Sequence, residues 1–501
     1  METSDGCECQ SRSHYCKVHR NMPLNFNNFL NVLQLIATYS RNLLLASVDI
    51  LFPRKYRFIG SSPITSSRAK STKLLQYEPL KAVLLYLDPN LRFQLSQRLP
   101  SIRSVEKTVP LRIQTLRFQK TSCTVNETEY KFSVLKKYPD GRTVETFYRF
   151  DKYGLPMYYG LNTVTLGDVD LRMEFQRNRY WDHMEWEQFL KDSIVHCKRR
   201  FAHLQAESWL DFCFKWIGYG LVFLLNVVWP KTSVELPMTS GNLQRNIAIL
   251  EDELALFVAR RENSEPPFTL KLQLMIGETR CQVKYDTPLF GSMKRLTTTL
   301  FGHRCSIVQV ETLIIDSVDK IVRLPVGMKF NVRELSFRNR LVDYDAVREI
   351  VDTKTLVTVR LRSYWPKGIS FYKIILEAQE LYIEQLYMST ESWRQFFKNL
   401  TARKVHFDDC GYKGTQMYPD VIKTWMKEGR EVGTCYILGI DKEEVKGVLE
   451  QLKESEDVLK SSARSISLSM KSGAKLIVEW GPKEKPSHSG DWQLTMRVTS
   501  D

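Results

Sequence analysis

From residue 310 onward one apolar spacing recurs: an apolar residue, two spacers, a large apolar residue, one spacer, and a further apolar residue. It begins at Val310 (VETLII), Val332 (VRELSF), Leu356 (LVTVRL), Ala378 (AQELYI) and Ala402 (ARKVHF), so intervals of 22 and 24 residues alternate. The alternation defines a double unit of 46 residues. A shift of that length carries Asp343 onto Ser389, Val347 onto Trp393, Ile350 onto Phe396 and Val351 onto Phe397. Both segments open on an N-cap residue and continue with apolar residues at helical spacing, which predicts strand, extended return, strand and helix in each double unit. Periods of about 20–29 residues with such strand cores characterise leucine-rich-repeat-like solenoids, whose repeats bury their apolar faces only by stacking. The strands near 310, 332, 356, 378 and 402 are therefore expected side by side in one sheet. The usual repeat asparagine is absent from them, which argues against regular leucine-rich repeats.

The flanking patterns complete an α+β chain. FTLKLQLMI and CQVKYD predict a β-hairpin, and Thr287-Pro288 can start a helix through Leu289, Met293, Leu296 and Leu300. A helix containing Trp425 precedes EVGTCYILGI, and Asp441 caps another through Val445, Val448, Leu449 and Leu452. SISLSMKSGAKLIVEW closes the chain as a C-terminal β-hairpin turning at Ser472-Gly473.

Upstream, YEPLKAVLLYLDPNLRFQLSQRLPSI (Tyr77 to Ile102) reads as short helices around an Asp-Pro stop. Tyr77, Leu80, Val83, Leu84 and Leu87 share one helical face. Asp88 and Pro89 suit the N-cap and first position of a second helix, whose Leu91, Leu95 and Leu99 continue the stripe, and Pro100-Ser101 starts a third. So many leucines exceed what a short helical pair buries internally. Tyr77, Leu80, Leu84, Leu87, Leu91 and Leu95 are accordingly the candidate partner-binding residues, forming a composite surface for a helical partner.

Six segments follow from these patterns: an N-terminal extension with a basic linker, partly disordered (1–74); a helical segment (75–118); a β-rich segment (119–200); an apolar insert (201–240); the strand/helix array (241–440); and a C-terminal helix with its hairpin (441–501). In the extension, Phe26 to Phe52 is apolar at helical spacing and Pro53 to Lys73 reads as linker. Cys7, Cys9, His14, Cys16 and His19 are metal-ligand types, but Cys7-Glu8-Cys9 is tighter than zinc-site spacing, so the expectation is a disordered tail and no metal. In the insert, Trp216 to Pro230 carries no charge, and Lys198-Arg199-Arg200 lies just upstream. A spanning helix needs about twenty apolar residues. Extending this run back to Trp209 takes in Asp211 and Lys215, so a buried helix is expected. The alternative is a membrane anchor built on Trp209, Trp216, Leu221, Phe223, Leu224 and Trp229.

Composition narrows the function. The 501 residues hold 72 basic and 57 acidic side chains, a net charge of +15, interleaved except in the acid-free stretch from Ile50 to Tyr77. A nucleic-acid groove concentrates its charge more than this, so no nucleic-acid partner is expected. Ten cysteines without close pairing after Cys16, and no signal-peptide pattern, point to an intracellular, cytoplasmic protein with free thiols. The chain has no GxGxxG, no phosphate-cradling loop, no HExxH and no nucleophile elbow. His183 with Asp182 and Glu185 forms a local acid-histidine cluster, set between Trp181 and Trp186, and reads as surface packing. The chain is expected to be a non-enzyme with no cofactor and no small-molecule ligand.

The opening block YEPLKAVLLYLDPNLRFQLSQRLPSIRSVEKTVPLRIQTLRF resembles the start of the nematode (Caenorhabditis-type) F-box C family with its family-specific domain of unknown function. DKYGLPMYYGLNTVTLGDVDLR, RRENSEPPFTLKLQLMI, TLFGHR, RLPVGMKF and EGREVGTCYILGI are similar to that family's successive landmarks, over most of residues 75 to 440. A typical F-box opens on Leu-Pro, where this chain has Gln76 and Tyr77. The resemblance implies that 75–118 is an F-box-like segment, and that the chain is an interaction adaptor: a substrate receptor of a Skp1-cullin-F-box type ubiquitin ligase. Its partners would be a Skp1-like adaptor and an unidentified substrate.

Overall fold

The computed structural model describes residues 77–155, 164–173, 187–203, 240–316, 320–339, 342–364, 372–386, 389–409, 417–483 and 492–500. The cysteine-histidine cluster of the N-terminus, the Phe26 to Phe52 stretch, His183 with its neighbours and the whole Trp209 to Trp229 segment lie outside them. The chain divides into two compact units between Val109 and Pro110.

The first unit is helical, with α1 (Tyr77–Tyr86), α2 (Pro89–Arg98) and α3 (Pro100–Thr108). Asp88 caps α2 by accepting from the Asn90 amide at 2.8 Å, and Pro89 and Pro100 open their helices, where a missing N–H costs nothing. Leu84 packs on Val105 and Val109 of the α3 turn, with Leu80, Leu85 and Leu87 against them. Arg92 and Glu106 are both buried and pair at 3.1 Å. The same guanidinium donates to the carbonyls of Glu106 (3.1 Å) and Val109 (2.9 Å), tying α2 to the C-terminal end of α3, where the helix dipole favours a cation.

The second unit is built on one large mixed sheet. Its strands are β1 (Arg112–Gln119), β2 (Ser122–Val125), β3 (Thr128–Lys137), β6 (Thr269–Ile276), β7 (Thr279–Lys284), β8 (Val308–Asp316), β10 (Phe330–Phe337), β12 (Thr358–Tyr364), β13 (Glu380–Leu386), β14 (Lys404–Asp409), β15 (Cys435–Ile440), β16 (Val458–Ser461), β17 (Ser465–Ser469), β18 (Lys475–Pro482) and β19 (Trp492–Thr499). The short strands are β4 (Thr143–Thr146) beside β3, β11 (Val351–Asp352) beside β10, and the separate ribbon of β5 (Val169–Asp170) with β9 (Ile321–Val322). The pairings run β7-β6-β3-β2-β1-β8-β10-β12-β13-β14-β15-β19-β18-β17-β16. From β1 to β15 neighbours are parallel, and both flanks are antiparallel.

The five expected strands are β8, β10, β12, β13 and β14, side by side and in sequence order. Two buried columns fix their register: Leu116, Leu313, Leu335, Val359, Leu381, Val405 and Tyr436, then Phe118, Ile315, Phe337, Leu361, Ile383, Phe407 and Leu438. The columns extend to two strands beyond the five expected ones. One is β1, whose Ile113, Leu116 and Phe118 repeat the spacing within the segment read as helical to residue 118; the other is β15. Burying either column requires a cover, and helices supply it on one face. Phe301 of α6 (Leu289–Phe301) meets Phe118 and Phe330. Trp393, Phe396 and Phe397 of α8 (Thr390–Asn399) surround Phe407, and Trp425 of α9 (Met417–Glu428) meets Tyr436 edge-on at 4.6 Å.

Between β10 and β11 the expected helix is a single 3-10 stretch, Tyr344–Glu349, because the chain must regain the edge of β10 at Val351 within a few residues. Its 46-residue counterpart α8 has room for a full helix, and Ser389 caps it from the side chain. Among the described residues between β12 and β13 lies the one-turn α7 (Lys373–Leu376). The C-terminal hairpin at Gly473 is the centre of a four-stranded antiparallel extension, β16 to β19, packed by α10 (Lys442–Lys453). At the other flank, helix α4 (187–203) and α5 (Ser240–Arg261) are antiparallel neighbours, linked by Lys198–Glu251 (2.6 Å) and Arg261–Glu187 (2.8 Å). Leu190, Leu256 and Phe257 pack there with Leu155 and Phe268. Among the described residues no helix is long and apolar enough to cross a membrane.

Candidate functional site

The repeat spacing leaves one residue between the two buried columns, and a strand must point that residue to the opposite face. In register these spacers are Arg117, Ile314, Ser336, Arg360, Tyr382, His406 and Ile437. Three of them stack. The Arg360 guanidinium lies over the Tyr382 ring at 4.0 Å, and the His406 ring follows at 5.8 Å between centroids and 28° between planes. Such contacts hold flat surfaces parallel and partly open to water.

Ion pairs brace this row on both sides. Arg360 donates to Glu334 at 2.9 Å, Lys404 to Glu380 at 2.8 Å, and Thr358 to Glu380 at 3.3 Å. Arg117 pairs with Asp316, and His406 Nε2 sits 2.8 Å from Asp408 Oδ1. The His406 hydrogen bond holds the Asp408 carboxyl below the usual carboxylate range, and Lys404 does the same for Glu380. Lys483 donates to the Asp408 carbonyl at 2.7 Å across Gly439, where a Cβ would stand 2.1 Å from that same oxygen. Glycine is required at that close approach. Opposite charges side by side on adjacent strands steady a sheet surface more than they stabilise it. The arrangement offers stacking, hydrogen bonding and paired charge on a braced platform. Among the described residues no three of His, Cys, Asp and Glu converge as metal ligands.

The leucine stripe of the first unit divides. Leu84 is fully buried and belongs to the interior, which removes it from any docking surface, because the third helix closes over it. Leu80 and Leu87 are partly buried against the same core. Leu91 and Tyr77 are exposed, Leu95 is half-buried, and two residues outside the candidate set are exposed as well: Leu99, which continues the stripe, and Tyr86, which the pattern did not single out. Trp209, Trp216, Leu221, Phe223, Leu224 and Trp229 lie outside the described residues.

A domain of unknown function, DUF3557, matches residues 289–442. The chain carries that domain. Its limits coincide with the first residue of α6 and the first residue of α10, so it takes in β8 to β15 and the stacked row of Arg360, Tyr382 and His406. No curated protein and no solved structure matches the chain.

Proposed function

We propose that this chain is a non-enzymatic protein-interaction adaptor whose outer sheet face receives one protein and whose helical unit engages another. The observation that carries the reading is the Arg360–Tyr382–His406 row, three planar groups from successive strands held open on a surface that the ion pairs brace. Stacked arginine and tyrosine are the side-chain types that dominate protein interfaces. The helical unit supports the second half through Tyr77, Leu91 and Leu95, which remain at least partly accessible, with Tyr86 and Leu99 beside them. Its resemblance to the F-box C opening gives that partner a chemistry: a Skp1-like helical adaptor. The whole chain is then a substrate receptor of a Skp1-cullin-F-box type ubiquitin ligase.

Two variants test the halves separately. Leu91→Asp should abolish binding to a recombinant Skp1 homologue and leave the melting temperature unchanged. Arg360→Glu with Tyr382→Ala should retain that binding and lose the proteins captured through the sheet. If Leu91→Asp binds Skp1 as tightly as the native chain, or if both variants capture the native set of proteins, the adaptor reading fails.

A further inference from the structure

The β5–β9 ribbon ends in two tight turns. Asp168 N donates to Thr165 O (2.9 Å) and Met328 N to Pro325 O (3.4 Å), closing one turn on each strand. The turns touch backbone to backbone: Gly167 has φ +90°, and a Cβ on it would stand 2.7 Å from the Val326 backbone. One buried carboxylate fastens them. Asp168 accepts from Lys294 Nζ (2.7 Å), Arg323 Nη1 (2.7 Å), the Thr165 amide (2.8 Å) and the Thr165 hydroxyl (2.7 Å), while Lys294 also donates to the Leu166 carbonyl. A charge so placed needs all these partners, so its presence marks the turns as a fixed element of the fold.

What this fastening presents is apolar. Leu166 is 78% exposed, Val326 63% and Val164 43%, at the tip of the paired turns. The tip is also positive, because Lys294 and Arg323 face the single Asp168 and the exposed Lys329 follows Val326 by three residues. The nearby acid Asp170 is engaged by Arg172. Three aliphatic side chains on two turns fall far short of the ~800 Å² that each partner of a stable protein complex contributes. A few aliphatic groups beside basic charge do suffice for reversible attachment to an anionic bilayer surface.

We propose that the paired turns at 164–168 and 323–329 dock the chain on an anionic lipid surface, with Leu166, Val326 and Val164 entering the interfacial layer and Lys329 facing the phosphates. The net charge of +15 favours the same approach at long range. Attachment at this tip is independent of the adaptor reading, and either can fail alone.

Flotation of the full chain with vesicles decides it. Partitioning onto phosphatidylcholine vesicles containing phosphatidylserine should exceed partitioning onto phosphatidylcholine alone by about tenfold at low salt. Leu166→Ser with Val326→Ser should lose about tenfold of that binding with an unchanged melting temperature, since both side chains face water. Leu166→Ser alone covers the case in which the double variant melts early, and Lys329→Glu should remove part of the salt-sensitive binding. The proposal is overturned if the native chain shows no preference for anionic vesicles. It is equally overturned if the double variant floats as well as the native chain, which would place lipid contact elsewhere, or if the double variant loses a bound protein while neither chain floats.

Discussion

Asp168, with no exposed side-chain surface, makes part of the fold's stability depend on solution pH. Burial alone would raise its carboxyl, but the hydrogen bonds from Lys294, Thr165 and Arg323 prevail and hold it below the ordinary carboxylate value. A depressed folded-state pKa contributes stability that is complete above the unfolded value of about 4 and is lost as pH falls through the folded one. Thermal melting should therefore fall steeply below about pH 4, and Asp168→Asn should flatten that slope. The same variant leaves two cations facing each other without their anion and should cost about 3–5 kcal/mol in urea unfolding at neutral pH. Little of this was legible in the sequence, because Asp168 lies 126 residues from Lys294 and 155 from Arg323. Asn126 shows the reverse case. Its place in a glycosylation-like Asn-Glu-Thr triplet reflects the β2–β3 turn, where it sits at φ 52° and its Oδ1 accepts from the Gln114 and Thr115 amides.

Among the elements, the short helices were the most legible and their packing the least. Asp88-Pro89 and Pro100 mark the helix starts without reference to anything distant. Which leucines face inward depends on where α3 folds, and a stripe drawn on two helices cannot show that. Leu84 and Leu91 thus make a paired prediction. Leu84→Asp should unfold the helical unit, at a cost of at least about 4 kcal/mol, because a charge replaces a side chain enclosed by Val105 and Val109. Leu91→Asp should leave its circular dichroism and melting unchanged. Equal effects of the two would mean that Leu91 is also interior.

At the scale of the molecule, the 46-residue shift predicted the order of the central strands because each strand's two buried positions must meet those of its neighbours. The same rule explains what the shift could not reach. β1 lies nearly 200 residues from its partner β8, so no local period connects them, and only the shared spacing of Ile113, Leu116 and Phe118 marks the strand. The antiparallel flanks carry ordinary alternation without a period, and the final hairpin gave no sign of its pairing to β15 through β19. The described cysteines, Cys123, Cys197, Cys281, Cys305 and Cys435, are free thiols, and alkylation of the denatured, unreduced protein should label every one of them. A disulfide involving any of these would contradict the packing described.

The outer face of the parallel strands as a protein-binding platform is the central claim, and site-specific photo-crosslinking addresses it without disturbing the fold. A photoreactive phenylalanine analogue in place of Tyr382 should give a discrete protein adduct in cells, while the same analogue at Lys446, exposed on α10, should give none. No adduct at Tyr382, or matching adducts at both positions, would contradict the account.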